Sequence, residues 1–246
     1  MLRLLCVTAH PDDEAGAFGG VLPLVRSRGV ETFLVCLTPG QAATHRGNAR
    51  SDEELGELRR RELAASCRLL QVCECRVLDY PDGKLDRLDF HAVVGDLTRH
   101  VRRIMPHVIL TLGPEGAVTG HPDHSMAGLF ATMAYHWAAR TDRYPEQLAE
   151  GLAPHRTQKL YYATASFTLP ERQPVSLAPA TTVIDISRFV DVKLNAFRAH
   201  ATQAPLFSRF ENAMRHRTTE LYHLAAATSP SVMQPETDLL AGIADG

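Results

Sequence analysis

This 246-residue chain is short of every feature that marks an extreme protein class. It has no excess of one charge, with 26 Lys and Arg against 28 Asp and Glu and a formal net charge of −2. That balance excludes a strongly basic nucleic-acid binder and an acidic disordered chain. No apolar run approaches the ~18 residues that read as a membrane span, so no membrane partner is expected. The opening residues, Met1 to Ala9, are too short for a signal h-region and run straight into polar residues. Cysteine is sparse and odd in number: Cys6, Cys36, Cys67, Cys73 and Cys75. Reduced core cysteines in a cytoplasmic protein are the expectation, and Cys73 and Cys75 lack the second pair a zinc ribbon needs. No G-x-G-x-x-G follows the first apolar run and no P-loop is present, which argues against a dinucleotide or nucleotide site. Tryptophan occurs once, yet there are 12 histidines, and the question becomes where those imidazoles sit.

What is present is an alternation of strand and helix signals. Short apolar runs at 2–9, 31–38, 74–78 and 107–113 read as buried strands. Helical patterns at 15–27, 52–70, 90–104 and about 124–140 separate or follow them, with Ser51 or Asp52 as a cap for the second. Four such pairs in succession predict a parallel sheet with right-handed crossovers. Residues 39–51 read as a loop that carries His45 and Arg46, and 141–158 as another. Strands are then expected at 159–165 and 182–186, helices at 188–200 and 207–227, and a tail of low pattern after Ser229. The expected fold class is α/β, a mostly parallel Rossmann-like sheet flanked by helices. We read the chain as one domain, with its core in residues 1–140 and a small C-terminal elaboration in 141–246.

The chemistry lies at two strand ends. His10, Pro11, Asp12, Asp13 and Glu14 follow the first strand, and His121, Pro122, Asp123 and His124 follow the fourth strand and its loop. Ligands of an open parallel sheet bind beyond the carboxyl ends of its strands, where strand order reverses. In a 3-2-1-4 order the first and fourth strands are neighbours, so the two segments should meet. Two histidines and a carboxylate form a common hydrolytic zinc set with a position left for water. Pro11 stiffens the turn so that His10 and Asp13 can converge, which leaves Asp12 pointing elsewhere and free to act as a base. One His-Pro-Asp segment alone would read as a helix cap. Two of them, each after a buried strand, point to a metal site.

These segments resemble the two signatures of the PIG-L/LmbE-like deacetylases. Gly19-Gly20, the Leu37 to Gly40 segment, Arg59 to Glu62, Tyr80 to Gly83, Thr111 to Gly116 and the late series Lys193, Ala196, His200 and Gln203 are similar as well, so the likeness spans about residues 2–205. The resemblance implies a zinc-dependent removal of acetyl groups from N-acetylglucosamine-type substrates. It implies His10, Asp13 and His124 as zinc ligands and Asp12 as the general base. His121 would stabilise the oxyanion or protonate the leaving amine, with Asp123 orienting its ring and favouring its charged form. Arg59 and Asp82 match substrate-contacting positions. Members often assemble as homo-oligomers, although no interface is visible in the sequence. Gln41 stands where many members have Glu, and Gln71 where Gly usually ends a helix. Fe²⁺ and Co²⁺ suit a His₂Asp set as well as Zn²⁺ does. Two other readings stand beside the deacetylase: an amidase cleaving a larger acyl group from an aminosugar conjugate, and a metal- and sugar-binding protein without turnover. Lys193, His200 and Gln203 are expected to hold the C-terminal helices on the sheet. His216 and His223, seven apart in a predicted helix, are the weaker candidates for a second metal pair.

Overall fold

The computed structural model describes residues 1–169, 174–229 and 234–245. Its strands are β1 (Arg3–Thr8), β2 (Glu31–Cys36), β3 (Glu74–Val77), β4 (Val108–Leu112), β5 (Lys159–Thr164), β6 (Thr182–Asp185) and β7 (Thr219–Ala227). They form one sheet in the order β3-β2-β1-β4-β5-β7-β6. Pairing is parallel from β3 through to β5, and β7 runs antiparallel to both β5 and β6. The inner strands are buried on both faces, which is why β4 reads as an unbroken apolar run. The sheet is flanked by α1 (Asp13–Phe18), α2 (Val21–Ser27), α3 (Asp52–Leu69), α4 (Phe90–Ile104), α5 (Pro122–Trp137), α6 (Pro145–Ala149), α7 (Val190–Arg198) and α8 (Phe207–Met214). The predicted 3-2-1-4 order is observed, and it puts the ends of β1 and β4 side by side.

Three expectations need correction. The single helix expected over 15–27 is two helices, broken at Gly19 and Gly20. The backbone amides of Gly20 and Val21 donate to the buried Glu220 carboxylate at 2.8 and 2.9 Å, which caps α2. A Cβ on Gly20 would lie 2.5 Å from Ile186 Cδ1, so the close approach depends on glycine. The loop expected over 141–158 contains the short helix α6. The helix expected over 207–227 is α8 followed by a nine-residue strand, β7. Leu, Ala and Tyr there serve either structure. The open antiparallel edge of β5 decides for strand, with Glu220 and Tyr222 turned inward. His216 and His223 therefore share no helix face. His223 lies on β7, bonded through Nδ1 to Pro179 O at 2.9 Å and stacked on Tyr162.

Helix α3 carries a buried polar stripe, Arg59, Glu62 and Ser66, at helical spacing. Its start is capped by Ser51, whose hydroxyl accepts from Glu54 N–H at 3.1 Å. Its end is a Schellman turn: Val72 N–H donates to Cys67 O at 2.9 Å, and Gln71, at φ 59°, takes the left-handed position. The same turn ends α2, where Gly29 occupies that position. Cys6, Cys36 and Cys67 are buried, Cys75 is half-buried and Cys73 exposed, and all five are free thiols. Among the described residues no helix is long and apolar enough to cross a membrane.

Candidate metal centre and active site

The turn after β1 and the N-terminus of α5 meet as expected. The ring centroids of His10, His121 and His124 lie 4.9 to 5.2 Å apart. Asp13 sits among them at the start of α1. Its Oδ1 is 3.1 Å from His124 Nε2 and its Oδ2 is 3.8 Å from His10 Nδ1. Oδ2 also accepts from the amides of Ala9 and His10 at 3.1 and 2.9 Å, which fixes the carboxylate. Burial would raise the Asp13 pKa, but the neighbouring His124 and His10 outweigh it and hold the group ionised, well below the usual range.

The ring nitrogens are sorted by their outer partners. His10 Nε2 lies 3.0 Å from Asp82 Oδ1 and 3.2 Å from Asp123 Oδ2, so that nitrogen carries the proton and Nδ1 is turned to Asp13. Thr119 Oγ1 donates to Gly116 O at 3.1 Å, so His124 Nδ1, also at 3.1 Å, donates to it, and Nε2 faces Asp13. Such outer partners orient metal-binding imidazoles and set their tautomers. Burial disfavours charge on His10, yet its bonds to Asp123 and Asp82 push its pKa up to about 10. A ring so surrounded by carboxylates lies where a cation is favoured. Asp13, Asp82 and Asp123 converge on it, while Asp12 beside them is paired with Arg59. Ligand atoms of His10, His121 and His124 lie within 4.8 Å of one another, and so do those of His10, Asp82 and Asp123. Either group could hold a divalent metal, and Asp13, in neither, faces His10 and His124 beside the first.

Asp12 precedes α1 with φ 111°, a conformation that L-residues rarely adopt. Its Oδ2 accepts from Arg59 Nη2 at 3.0 Å. Burial raises its pKa against the pull of Arg59, with Asp13 and Glu14 adding to the rise. His121 is the N-cap of α5, which begins two residues before the predicted start. Its Nδ1 accepts from the backbone N–H of Asp123 at 3.1 Å. The neutral ring then carries its proton on Nε2. Burial lowers its pKa, as do His10 and His124.

Asp123 departs from its expected role. Its carboxylate does not hold the His121 ring. It is fully buried, accepts from Gly83 and Leu85 N–H at 2.7 and 3.1 Å, and reaches His10. Its charge does pull the His121 pKa upward, but burial and the neighbouring His10 and His124 outweigh that pull. Arg59 is 3% exposed, with its guanidinium on Asp12, Gly40 O and Pro11 O. Asp82 is 9% exposed and bonds His10 and the Ala42 amide. Both are thus buried and engaged with the protein. Thr119 and Glu14 escape sequence reasoning. Thr119 is one of several polar residues in a glycine-rich loop, and Glu14 sits within a signature whose other members explain it away. Lys193 pairs with Glu220 at 2.6 Å, and His200 lies 2.6 Å from Glu14.

Comparison with known proteins places the chain in a family. The model of the PIG-L family, GlcNAc-PI de-N-acetylase, matches residues 5–135. The mycothiol S-conjugate amidase of Streptomyces coelicolor is 29% identical, covering 99% of this chain and 98% of that protein. The 1D-myo-inositol 2-acetamido-2-deoxy-alpha-D-glucopyranoside deacetylase of Streptomyces avermitilis is 31% identical, covering 98% and 97%. Among solved structures, N,N'-diacetylchitobiose deacetylase from Pyrococcus horikoshii superposes with a TM-score of 0.78 at 25% identity, covering 90% of this chain and 83% of that one. The chain belongs to the PIG-L family of metal-dependent deacetylases.

Proposed function

We propose that the protein hydrolyses the acetamide of an N-acetylglucosamine-type conjugate, using Zn²⁺ held by His10, Asp13 and His124. The observation that carries this reading is the arrangement around Asp13: one carboxylate faces two imidazole nitrogens, His10 Nδ1 and His124 Nε2, while the other nitrogen of each ring is held by an outer partner. A metal bound there lowers the pKa of water to about 7 and polarises the amide carbonyl. Asp12, raised in pKa by burial, is suited to accept the water's proton. His121 presents Nε2–H to the oxygen that gains charge, and one such donor is worth about 3–4 kcal/mol of barrier. The C–N bond then breaks, the amine leaves with a proton and acetate remains. Arg59 is assigned to holding the Asp12 carboxylate, and Asp82 together with Asp123 to holding His10. Five free thiols fit the cytoplasmic location expected from the sequence.

The similarity over 99% of the chain to a mycothiol S-conjugate amidase favours a second reading, in which the acyl group removed is larger. Asp12→Asn tests the shared chemistry. It should retain the metal and lose a factor of about 10² or more in kcat. Near-normal turnover in that variant would remove Asp12 as the base.

A further inference from the structure

Glu14 has no part in the chemistry above, yet it is fully buried and multiply bonded. Its Oε2 accepts from the backbone N–H of Asp12 at 2.9 Å. Its Oε1 accepts from Ser66 Oγ at 2.5 Å and from His200 Nε2 at 2.6 Å. His200 is also fully buried, and its Nδ1 has no hydrogen-bond partner, so the ring's polar contact is with Glu14. It comes from the end of α7, 186 residues along the chain. Opposite, Arg59 grips the Asp12 carboxylate. A non-glycine residue at φ 111° is strained and persists only where its surroundings over-determine it. The groups that over-determine Asp12 come from α1, α3 and the end of α7.

We propose that Glu14 and His200 are positioning residues: they lock the Asp12 backbone in its left-handed conformation so that Arg59 can aim the carboxylate at the reacting water. This rests on Asp12 being the base. A His200 that merely docked the C-terminal segment would behave like its neighbour Thr202, whose N–H and hydroxyl bond Glu62 on α3 at 2.8 and 2.7 Å.

The test compares His200→Leu, His200→Gln, Ser66→Ala and Thr202→Val in the full chain. The readouts are kcat and KM for acetate release, metal content, melting temperature and the Asp12 φ in crystal structures. His200→Leu should lower kcat about 10- to 100-fold with KM and metal content unchanged, because a misplaced catalytic group loses rate rather than binding. His200→Gln, whose side-chain amide can donate to Glu14, should recover most of the rate. Thr202→Val should leave kcat unchanged even if it lowers the melting temperature. Asp12 should leave its φ near 111° in His200→Leu. Should His200→Leu fail to fold, Ser66→Ala carries the test with a smaller loss of kcat. Wild-type kcat in the folded variants, loss without rescue by Gln, an equal loss in Thr202→Val, or an Asp12 φ unmoved in His200→Leu would each overturn the proposal. If the wild-type chain releases no acetate from any aminosugar, the functional reading fails, while the Asp12 φ still judges the positioning.

Discussion

Asp123 Oδ2 lies 3.2 Å from His10 Nε2, so each of the two signature segments braces the other across the β1–β4 boundary. The α5 signature supplies the carboxylate, and the β1 signature supplies the imidazole that it orients. Gly83 and Leu85, from the turn beyond β3, hold that carboxylate with two backbone amides.

If His10 ligates the metal as proposed, this contact should make Asp123 a determinant of metal affinity. Asp123→Asn should weaken metal binding about 10- to 100-fold, the usual effect of removing the outer partner of a ligating histidine. Competition with a chromophoric chelator measures it. Unchanged affinity would contradict the assignment of His10 Nδ1 as the ligand.

Gln71 pays for a left-handed turn that glycine adopts freely. The conformation costs an L-residue roughly 1–2 kcal/mol, part of which glycine returns through its freer unfolded chain. Gln71→Gly should therefore stabilise the fold by about 0.5–1 kcal/mol, raising Tm by roughly 1–4 °C. Calorimetry checks this, and a lower Tm would show that the Gln71 side chain contributes more than its backbone costs.

Arg102 is 2% exposed and ties down the segment after α5. It donates to the carbonyls of Ala138, Arg140, Arg143 and Tyr144 and to Gln147 Oε1 at 2.8 to 3.2 Å. Arg102→Leu would leave these acceptors without their donor. A loss of about 3 kcal/mol is expected, or roughly 6–12 °C in Tm. Denaturant unfolding of the variant measures it, and a change below 1 kcal/mol, about the worth of a single hydrogen bond, would show that the segment finds other donors.

The half of the fold that positions the site was legible because β1, β2 and β4 are buried runs separated by strong helices, and such patterns have few arrangements. The C-terminal half was less so. In β7, the run from Thr219 to Ala227 has no breaker and no clean alternation, and only its place beside β5 makes it a strand. The helix break at Gly20 likewise depends on Glu220, 200 residues away. At the site, residue types and their meeting point followed from spacing and topology. Directions did not. That Asp123 turns to His10, and that Thr119 sets the His124 tautomer, depends on loops whose paths are decided by packing.

The most direct test is acetate release from a panel of N-acetylated aminosugar conjugates by the zinc-loaded protein, read by mass spectrometry, with and without a chelator. Stoichiometric acetate and free amine from at least one N-acetylglucosamine conjugate, abolished by chelation and restored by Zn²⁺, is the expected result. Fully loaded protein that releases acetate from none of them would contradict the deacetylase assignment.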